Sequence, residues 1–299
     1  MNTFRFLLNL RLLVKITQSK IDKLKKPLLI FTAILLLFSC KEQNGTEQEI
    51  GLASNKDKSL MVIFAHPDDE IVISPILSKY ANEDVTIHSV IVTDGSKGVT
   101  PHANIPAGDA LAKVRSKEAL CVTKTLGIDP PIFLNYMDGD LALKENIYTL
   151  DDKIDSLFTK YQPDVVITFG PGGQYGHPDH RIVSNIVTEV FQREASESLQ
   201  QLLYYGFPNE AVNKGLYLKT DLVKWMNDNL KTTQKRFLTY RIPFDAQNLK
   251  LGKEASSCHK SQYTPDDIDD LFAIMGQTGG LIYFRPWNGS SAIKDNIFD

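Results

Sequence analysis

The folds open to this chain are limited most by a set of short, unbroken apolar runs that alternate with helical patterns. Residues 60–64 (LMVIF), 85–93 (VTIHSVIVT) and 165–169 (VVITF) are short and mostly rich in β-branched side chains, so strands suit them better than helices. The runs 60–64 and 165–169 show almost no polar face, as expected of strands covered on both sides in a parallel sheet, while 85–93 is β-branched and long enough for another strand. Between the runs the period changes. Over residues 107–126, Leu111, Val114, Ala119, Val122 and Leu126 fall near one stripe, with Gly127 as a stop. Residues 150–161 repeat an amphipathic pattern that ends at Gln162-Pro163. Residues 181–192 give another helix, 201–205 another strand, and 132–134 a brief one. This order predicts an α/β protein: a mostly parallel sheet with helices on both faces. After Phe207 the pattern loses its regularity, and the chain is expected to wander over the sheet edge.

The first 58 residues stand apart from that pattern. Residues 1–39 carry seven Lys/Arg against one acid, which leaves the rest with 26 basic and 35 acidic residues, a net −9. A body that acidic disfavours nucleic-acid binding through bulk charge. Lys25-Lys26 leads into an uncharged apolar run at 27–38, followed by Ser39 and Cys40. Twelve residues fall short of the ~20 that cross a bilayer as a helix. A basic flank, a short apolar stretch and a small residue before a cut site make a secretory signal. Leu37-Phe38-Ser39-Cys40 further resembles a bacterial lipobox, which implies a lipidated Cys40 and an exported, membrane-anchored lipoprotein on the periplasmic or cell-surface side. Residues 1–39 are thus expected to be the signal peptide, 40–58 a flexible tether with little to bury, and 59–299 a single domain. The other two thiols, Cys121 and Cys258, allow one disulfide; Cys121, in an apolar helical stretch, is expected to be a buried small residue.

In parallel α/β sheets ligands sit beyond the carboxyl ends of the strands. Two of the loops there are dense in metal-type ligands. One reads Ala65-His66-Pro67-Asp68-Asp69-Glu70; the other runs from Gly170 through Tyr175 and Gly176 to His177-Pro178-Asp179-His180. Each offers imidazole and carboxylate three residues apart, on one side of a helical turn, with Pro suited to the first turn. A catalytic zinc typically takes three protein ligands and keeps a place for water. His66, Asp69 and His180 supply two imidazoles and a carboxylate. Asp68 is left beside them as a candidate general base, and His177 as a candidate for stabilising an oxyanion. A single His-Pro-Asp is commonly a helix cap; two of them after parallel strands, with adjacent acids, exceed what caps require.

These motifs resemble the PIG-L/LmbE-type family of zinc-dependent N-acetylglucosamine deacetylases. Residues 114–120 (VRSKEAL) are similar to its R-x-x-E-A helix, 134–141 (LNYMDGDL) to its L-x-x-x-D-G-x-L segment, and 255–262 (ASSCHKSQ) to its closing A-x-x-x-H-x-S-Q motif. The resemblance implies a Rossmann-like three-layer fold without a nucleotide and Zn²⁺, or another divalent metal such as Fe²⁺, on His66, Asp69 and His180. It implies Asp68 as base, His177 oriented by Asp179 as the polarising group, and Arg115 and Tyr175 as substrate contacts. The expected partner is an N-acetylated amino sugar in a glycoconjugate or glycolipid. In the loop 93–98 (TDGSKG) Asp94 and Ser96 stand where many bacterial members have Arg and Glu, so substrate identity does not carry over. Two other readings stay open: a lipid-tethered sugar-binding module with a vestigial metal site, and a zinc amidase acting on a different amide.

Outside these motifs, His88 is expected to be packed or edge-exposed and His102 to lie near the mouth, while His259 would brace the sheet edge. Asp151-Asp152 and Asp266-Asp267 read as helix-start acids. The aromatic cluster 283–287 offers either a sugar platform or a docked tail.

Overall fold

A computed structural model describes residue 55 and residues 57–299, apart from 195–197 and 214. The expected signal peptide, Cys40 and nearly all of the expected tether lie outside the described residues. Seven strands form one sheet there: β1 (Ser59–Phe64), β2 (Thr86–Thr93), β3 (Ile132–Tyr136), β4 (Val165–Phe169), β5 (Gln201–Tyr205), β6 (Tyr240–Pro243) and β7 (Leu281–Pro286), in the order β3-β2-β1-β4-β5-β7-β6. β1 to β5 are parallel, whereas β7 runs antiparallel to both β5 and β6. The helices are α1 (Ser74–Asn82), α2 (Asp109–Leu126), α3 (Lys144–Tyr161), α4 (Pro178–Glu194), α5 (Asp221–Asn229), α6 (Ala246–Ser256) and α7 (Pro265–Gly276).

β1 shows why its residues lack a polar face. Leu60, Val62 and Phe64 enter one core with side chains of α1, α2, α6 and α7; Met61, Ile63 and Ala65 enter the other with α3 and α4. Fully burying each large aliphatic side chain contributes roughly 1.5–3 kcal/mol, so a polar residue anywhere along β1 would break one core or the other. The result is a three-layer α/β fold. The Asp164 carboxylate ties down the start of β1, accepting from the Ser59 N–H at 2.8 Å and from Lys58 Nζ at 2.9 Å. Lys58, counted in the expected tether, therefore packs with the sheet.

Several expectations change. α3 starts at Lys144 rather than 150, so Asp151 lies inside the helix and pairs with Arg193 at 2.9 Å. Asp266 and Asp267 do open α7, where Thr264 and Asp267 cap each other. Beyond Phe207 the chain forms three helices and two strands, and 281–286 become a strand. In it Tyr283 and Phe284 are buried, while Trp287 packs against Phe191 at 5.6 Å. Cys121 is exposed on α2 rather than buried, and is disulfide-bonded to Cys258 just after α6, 137 residues on. The helical stripe faces the sheet; Cys121 projects off it toward the segment that follows α6.

The strand order fixes where a site can form. From β1 the chain adds β2 and β3 on one side, then returns to place β4 against the other side of β1, pairing Leu60 with Val165 and Val62 with Ile167. The crevice between the two C-terminal ends is the topological switch point, the usual ligand site of open α/β sheets.

Candidate metal centre

Both ligand-rich loops open into that crevice, which brings His66 and His180 together across 114 residues of sequence. His66 Nδ1 lies 3.0 Å from His180 Nε2. An Asp69 carboxylate oxygen stands 3.1 Å from His180 Nε2, and the other 3.5 Å from His66 Nδ1. On its far side His66 Nε2 meets Asp138 Oδ1 at 3.2 Å and Asp179 Oδ2 at 3.4 Å. Two carboxylates there accept the Nε2 proton, and Nδ1 faces His180 and Asp69. Two imidazole nitrogens and a carboxylate within 3.5 Å call for a proton or a cation among them, and His₂/carboxylate is a donor set that zinc takes. The residues present fit a divalent ion. His177 also comes within ligand range of this pair, and His66, Asp138 and Asp179 form a second acidic cluster that shares His66.

Local geometry differs between the loops. In the second, Gly173 (φ +62°) turns the chain: a Cβ there would lie 2.9 Å from the His177 carbonyl oxygen. Pro178 then opens α4, as its position in the sequence suggests. In the first, the regular turn begins only at Asp69, as a 3₁₀ helix over Asp69–Ile73. Asp68 precedes it at φ +134°, a conformation that costs a non-glycine residue about 1–3 kcal/mol and is kept only where surroundings enforce it. They do so here. Arg115 Nη2 donates to Asp68 Oδ1 at 2.7 Å and to the Pro67 carbonyl at 2.6 Å, and the Tyr263 hydroxyl donates to Asp68 Oδ2 at 3.1 Å. Arg115 is buried and threads past Gly95 and Gly98, where any Cβ would stand 2.5 Å from its Nη1.

The charges follow from these contacts. Burial pushes the Asp68 carboxyl above the usual range; Arg115 pulls it back and Asp69 adds to the rise. Burial opposes ionisation of Asp69 too, but His180 and His66 hold it well below the usual range. Asp138 is held down to about 2, His66 outweighing burial. For His66 the bonds to Asp138, Asp179 and Asp69 outweigh burial and keep the ring well above an ordinary imidazole. Burial, and then the neighbouring His66 and His180, lower His177. Its Nδ1 accepts the Asp179 backbone N–H at 3.2 Å, which leaves the proton on Nε2. The Asp179 carboxylate itself goes to the Gly139 N–H at 2.8 Å and to His66. Tyr175 stacks edge-on to His180 at 5.3 Å, its phenol kept protonated by burial and by Asp69 and Asp68.

A pocket of about 410 Å³ above these groups is lined by His66, Asp68, Arg115, Tyr175 and His177, with Asp138 and Tyr263. Asp69, Asp179 and His180 lie buried beneath it. All eight residues singled out by sequence thus meet at one place. The sequence motifs assign no role to Asp138, Tyr263, Glu70 or Glu118, although Glu70, Glu118 and Asp138 stand inside them. His259 is fully buried against Glu70 at 2.5 Å, beneath the site rather than at the sheet edge. Asp94 is turned inward, accepting the N–H groups of Ser96 and Asp138 at 2.9 and 3.1 Å. His88 packs on Tyr161 at 4.4 Å, and His102 meets the Lys260 carbonyl at 2.9 Å.

A buried His/Asp cation site with a spare carboxylate, at the switch point of a parallel sheet, is the equipment of a metal-dependent hydrolase. Residues 61–191 match the PIG-L family model, GlcNAc-PI de-N-acetylase, so this part of the chain is a PIG-L domain. It is 27% identical over 241 residues to the 1D-myo-inositol 2-acetamido-2-deoxy-α-D-glucopyranoside deacetylase of Saccharomonospora viridis, covering 72% of this chain and 88% of that one. A relative of the same name, numbered 2, from Catenulispora acidiphila is 28% identical over 269 residues, covering 77% and 87%. Among solved structures, N,N'-diacetylchitobiose deacetylase from Pyrococcus horikoshii superposes with a TM-score of 0.57 at 22% identity, covering 79% of this chain and 86% of that one. The hydratase GalB from Pseudomonas putida superposes with a TM-score of 0.55 at 12% identity, covering 80% and 99%. The fold is therefore shared by more than one reaction, and chemistry must be argued from the site.

Proposed function

We propose that this protein removes the N-acetyl group from an N-acetylglucosamine-containing substrate, using zinc, or another divalent ion such as Fe²⁺, held by His66, Asp69 and His180. The observation that carries the reading is the convergence of His66 Nδ1, His180 Nε2 and the Asp69 carboxylate beside an Asp68 carboxylate that faces the pocket. The named activities of the relatives, which act on a 2-acetamido sugar or on diacetylchitobiose, support the substrate class.

When bound, the ion supplies Lewis acidity: it polarises the amide carbonyl and makes water nucleophilic near neutral pH. The chain's own groups do the rest. Asp68, made more basic by burial, takes the proton of the attacking water. His177 is neutral near pH 7 and carries its proton on Nε2, so it donates a hydrogen bond to the developing oxyanion, an interaction whose loss elsewhere costs roughly 3–4 kcal/mol. Asp138 and Asp179 fix the His66 tautomer, and the Asp179 backbone N–H fixes that of His177. Arg115 and Tyr175 line the pocket where substrate enters. The leaving amine then takes the proton that Asp68 accepted from the water, giving acetate and a free amino sugar.

Acetate release from N-acetylhexosamines, with and without chelator, tests the reaction. Asp68→Asn is expected to keep its metal and lose most turnover, and His66→Ala to lose both. Near-native turnover by Asp68→Asn removes the base assignment, and chelator-insensitive release removes the metal. We further propose export and anchoring through a lipidated Cys40. The Cys121–Cys258 disulfide supports an oxidising compartment, and no helix among the described residues is long and apolar enough to cross a membrane. Incorporation of a labelled fatty acid that Cys40→Ala leaves intact would refute the anchor.

A further inference from the structure

Three residues on successive turns of α2 are tied to the wall of the site. Arg115 holds Asp68 and the Pro67 carbonyl. Three residues on, the Glu118 carboxylate accepts the Ser261 N–H and hydroxyl, both at 2.7 Å. Three further on, Cys121 is covalently bonded to Cys258. The segment so gripped, residues 258–263, closes the site from below and beside. His259 meets Glu70, Gln262 Nε2 donates to the Gly98 carbonyl at 3.0 Å, and Tyr263 reaches Asp68. One helix thus holds the Asp68 loop directly through Arg115, and again through the segment that carries Tyr263.

We infer that Tyr263 is a positioning residue for the Asp68 carboxylate, and that the Cys121–Cys258 disulfide sets where Tyr263 stands, so that turnover depends on the disulfide. The inference rests on Asp68 serving as the base. Arg115 occupies one carboxylate oxygen and Tyr263 the other, which stops the group rotating about its Cβ–Cγ bond. The restraint matters because the Asp68 backbone sits at φ +134° and relaxes once its side chain is released. Cys258 lies five residues before Tyr263, and the intervening ties through His259 and Ser261 are non-covalent. Cys121 is exposed, so a small dithiol reaches the bond. Reduction breaks S–S, delivers two electrons and two protons to give the two thiols, and oxidises the dithiol to its own disulfide.

The test measures kcat and KM on an N-acetylglucosamine substrate, metal per chain by mass spectrometry, and melting above the assay temperature. Tyr263→Phe is expected to lower kcat about tenfold, the scale of one hydrogen bond to a charged group, with KM and metal content unchanged. Wild type reduced with dithiothreitol, gaining two free thiols per chain, is expected to fall in the same direction, as is Cys121→Ser/Cys258→Ser. Reduction should leave Tyr263→Phe within about twofold of its oxidised rate, because the tie it loosens acts through the missing hydroxyl. Wild-type kcat in Tyr263→Phe, or loss of its metal, overturns the positioning role. Undiminished kcat in the reduced wild type, or an equal fall in reduced Tyr263→Phe, overturns the disulfide link. If Asp68→Asn itself keeps wild-type turnover, the base assignment fails and this inference falls with it. If Asp68→Asn is inactive and Tyr263→Phe is not, only this inference fails.

Discussion

Removing the Arg115 side chain is the sharpest test of how the site is held. The guanidinium is buried and serves three acceptors: Asp68 Oδ1 at 2.7 Å, the Pro67 carbonyl at 2.6 Å and the Gly95 carbonyl at 3.0 Å. Arg115→Ala leaves the Asp68 carboxylate, itself only 12% exposed, without its cation. Breaking a buried pair from one side costs about 3–5 kcal/mol, a fifth or more of the roughly 5–15 kcal/mol that typical domains possess. In urea followed by circular dichroism at pH 7, the midpoint should drop by roughly 1–3 M. Arg115→Lys should recover only part of this, since a point charge cannot span all three acceptors. A double-mutant cycle sharpens the result. Gly95→Ala in the wild type puts a Cβ 2.5 Å from Nη1 and also strains a φ of +66°; in Arg115→Ala only the backbone strain remains, so the second substitution should cost less there. A loss below about 1 kcal/mol for Arg115→Ala, far under the scale for a broken buried pair, would refute the reasoning, as would strict additivity with Gly95→Ala.

Three more outcomes follow from the same contacts. Reducing Cys121–Cys258, which spans 137 residues, should cost about 4–5 kcal/mol on a chain-entropy basis and lower the melting temperature by roughly 10–15 °C; coincident melting of both forms would contradict it. Gly173→Ala forces a Cβ to 2.8 Å from Arg181 Cγ and 2.9 Å from the His177 carbonyl at φ +62°, so bound metal and turnover should fall together, and full metal occupancy would contradict it. For Asp164, hydrogen bonds from Lys58 and Ser59 outweigh burial and depress its pKa. Its contribution is therefore complete above the unfolded carboxylate value and lost as pH falls through the lower folded one. Asp164→Asn should be less stable than wild type at pH 7, with the gap closing below about pH 4; a gap constant from pH 7 to 3 would contradict it.

What could be read in advance was whatever depends on local pattern. Continuous apolar runs announced β1 and β4 because a strand buried on both faces has nowhere to put a polar residue, and a β-branched run announced β2. The two His-Pro-Asp loops announced a candidate metal site because imidazole and carboxylate are expensive to bury without a partner. β6 gave no signal because an edge strand is short and half-exposed, its four residues alternating between buried and accessible positions; β7 lies between β5 and β6, and its aromatic run reads equally well as a platform or a docked tail. Asp138, Glu118 and Tyr263 stood among other polar residues with no local signal of their roles, since each acts on a group far away in sequence.

The sequence by itself determined the kind of sheet, the loops that carry chemistry and the residue types able to hold a cation. Only the tertiary structure decided that β1 and β4 lie side by side, and hence that His66 Nδ1 and His180 Nε2 stand 3.0 Å apart. It also decided which imidazole nitrogen keeps its proton and which side of α2 Cys121 faces. The strand pairing and the disulfide depend on contacts between segments more than a hundred residues apart, and no periodicity within either segment encodes them.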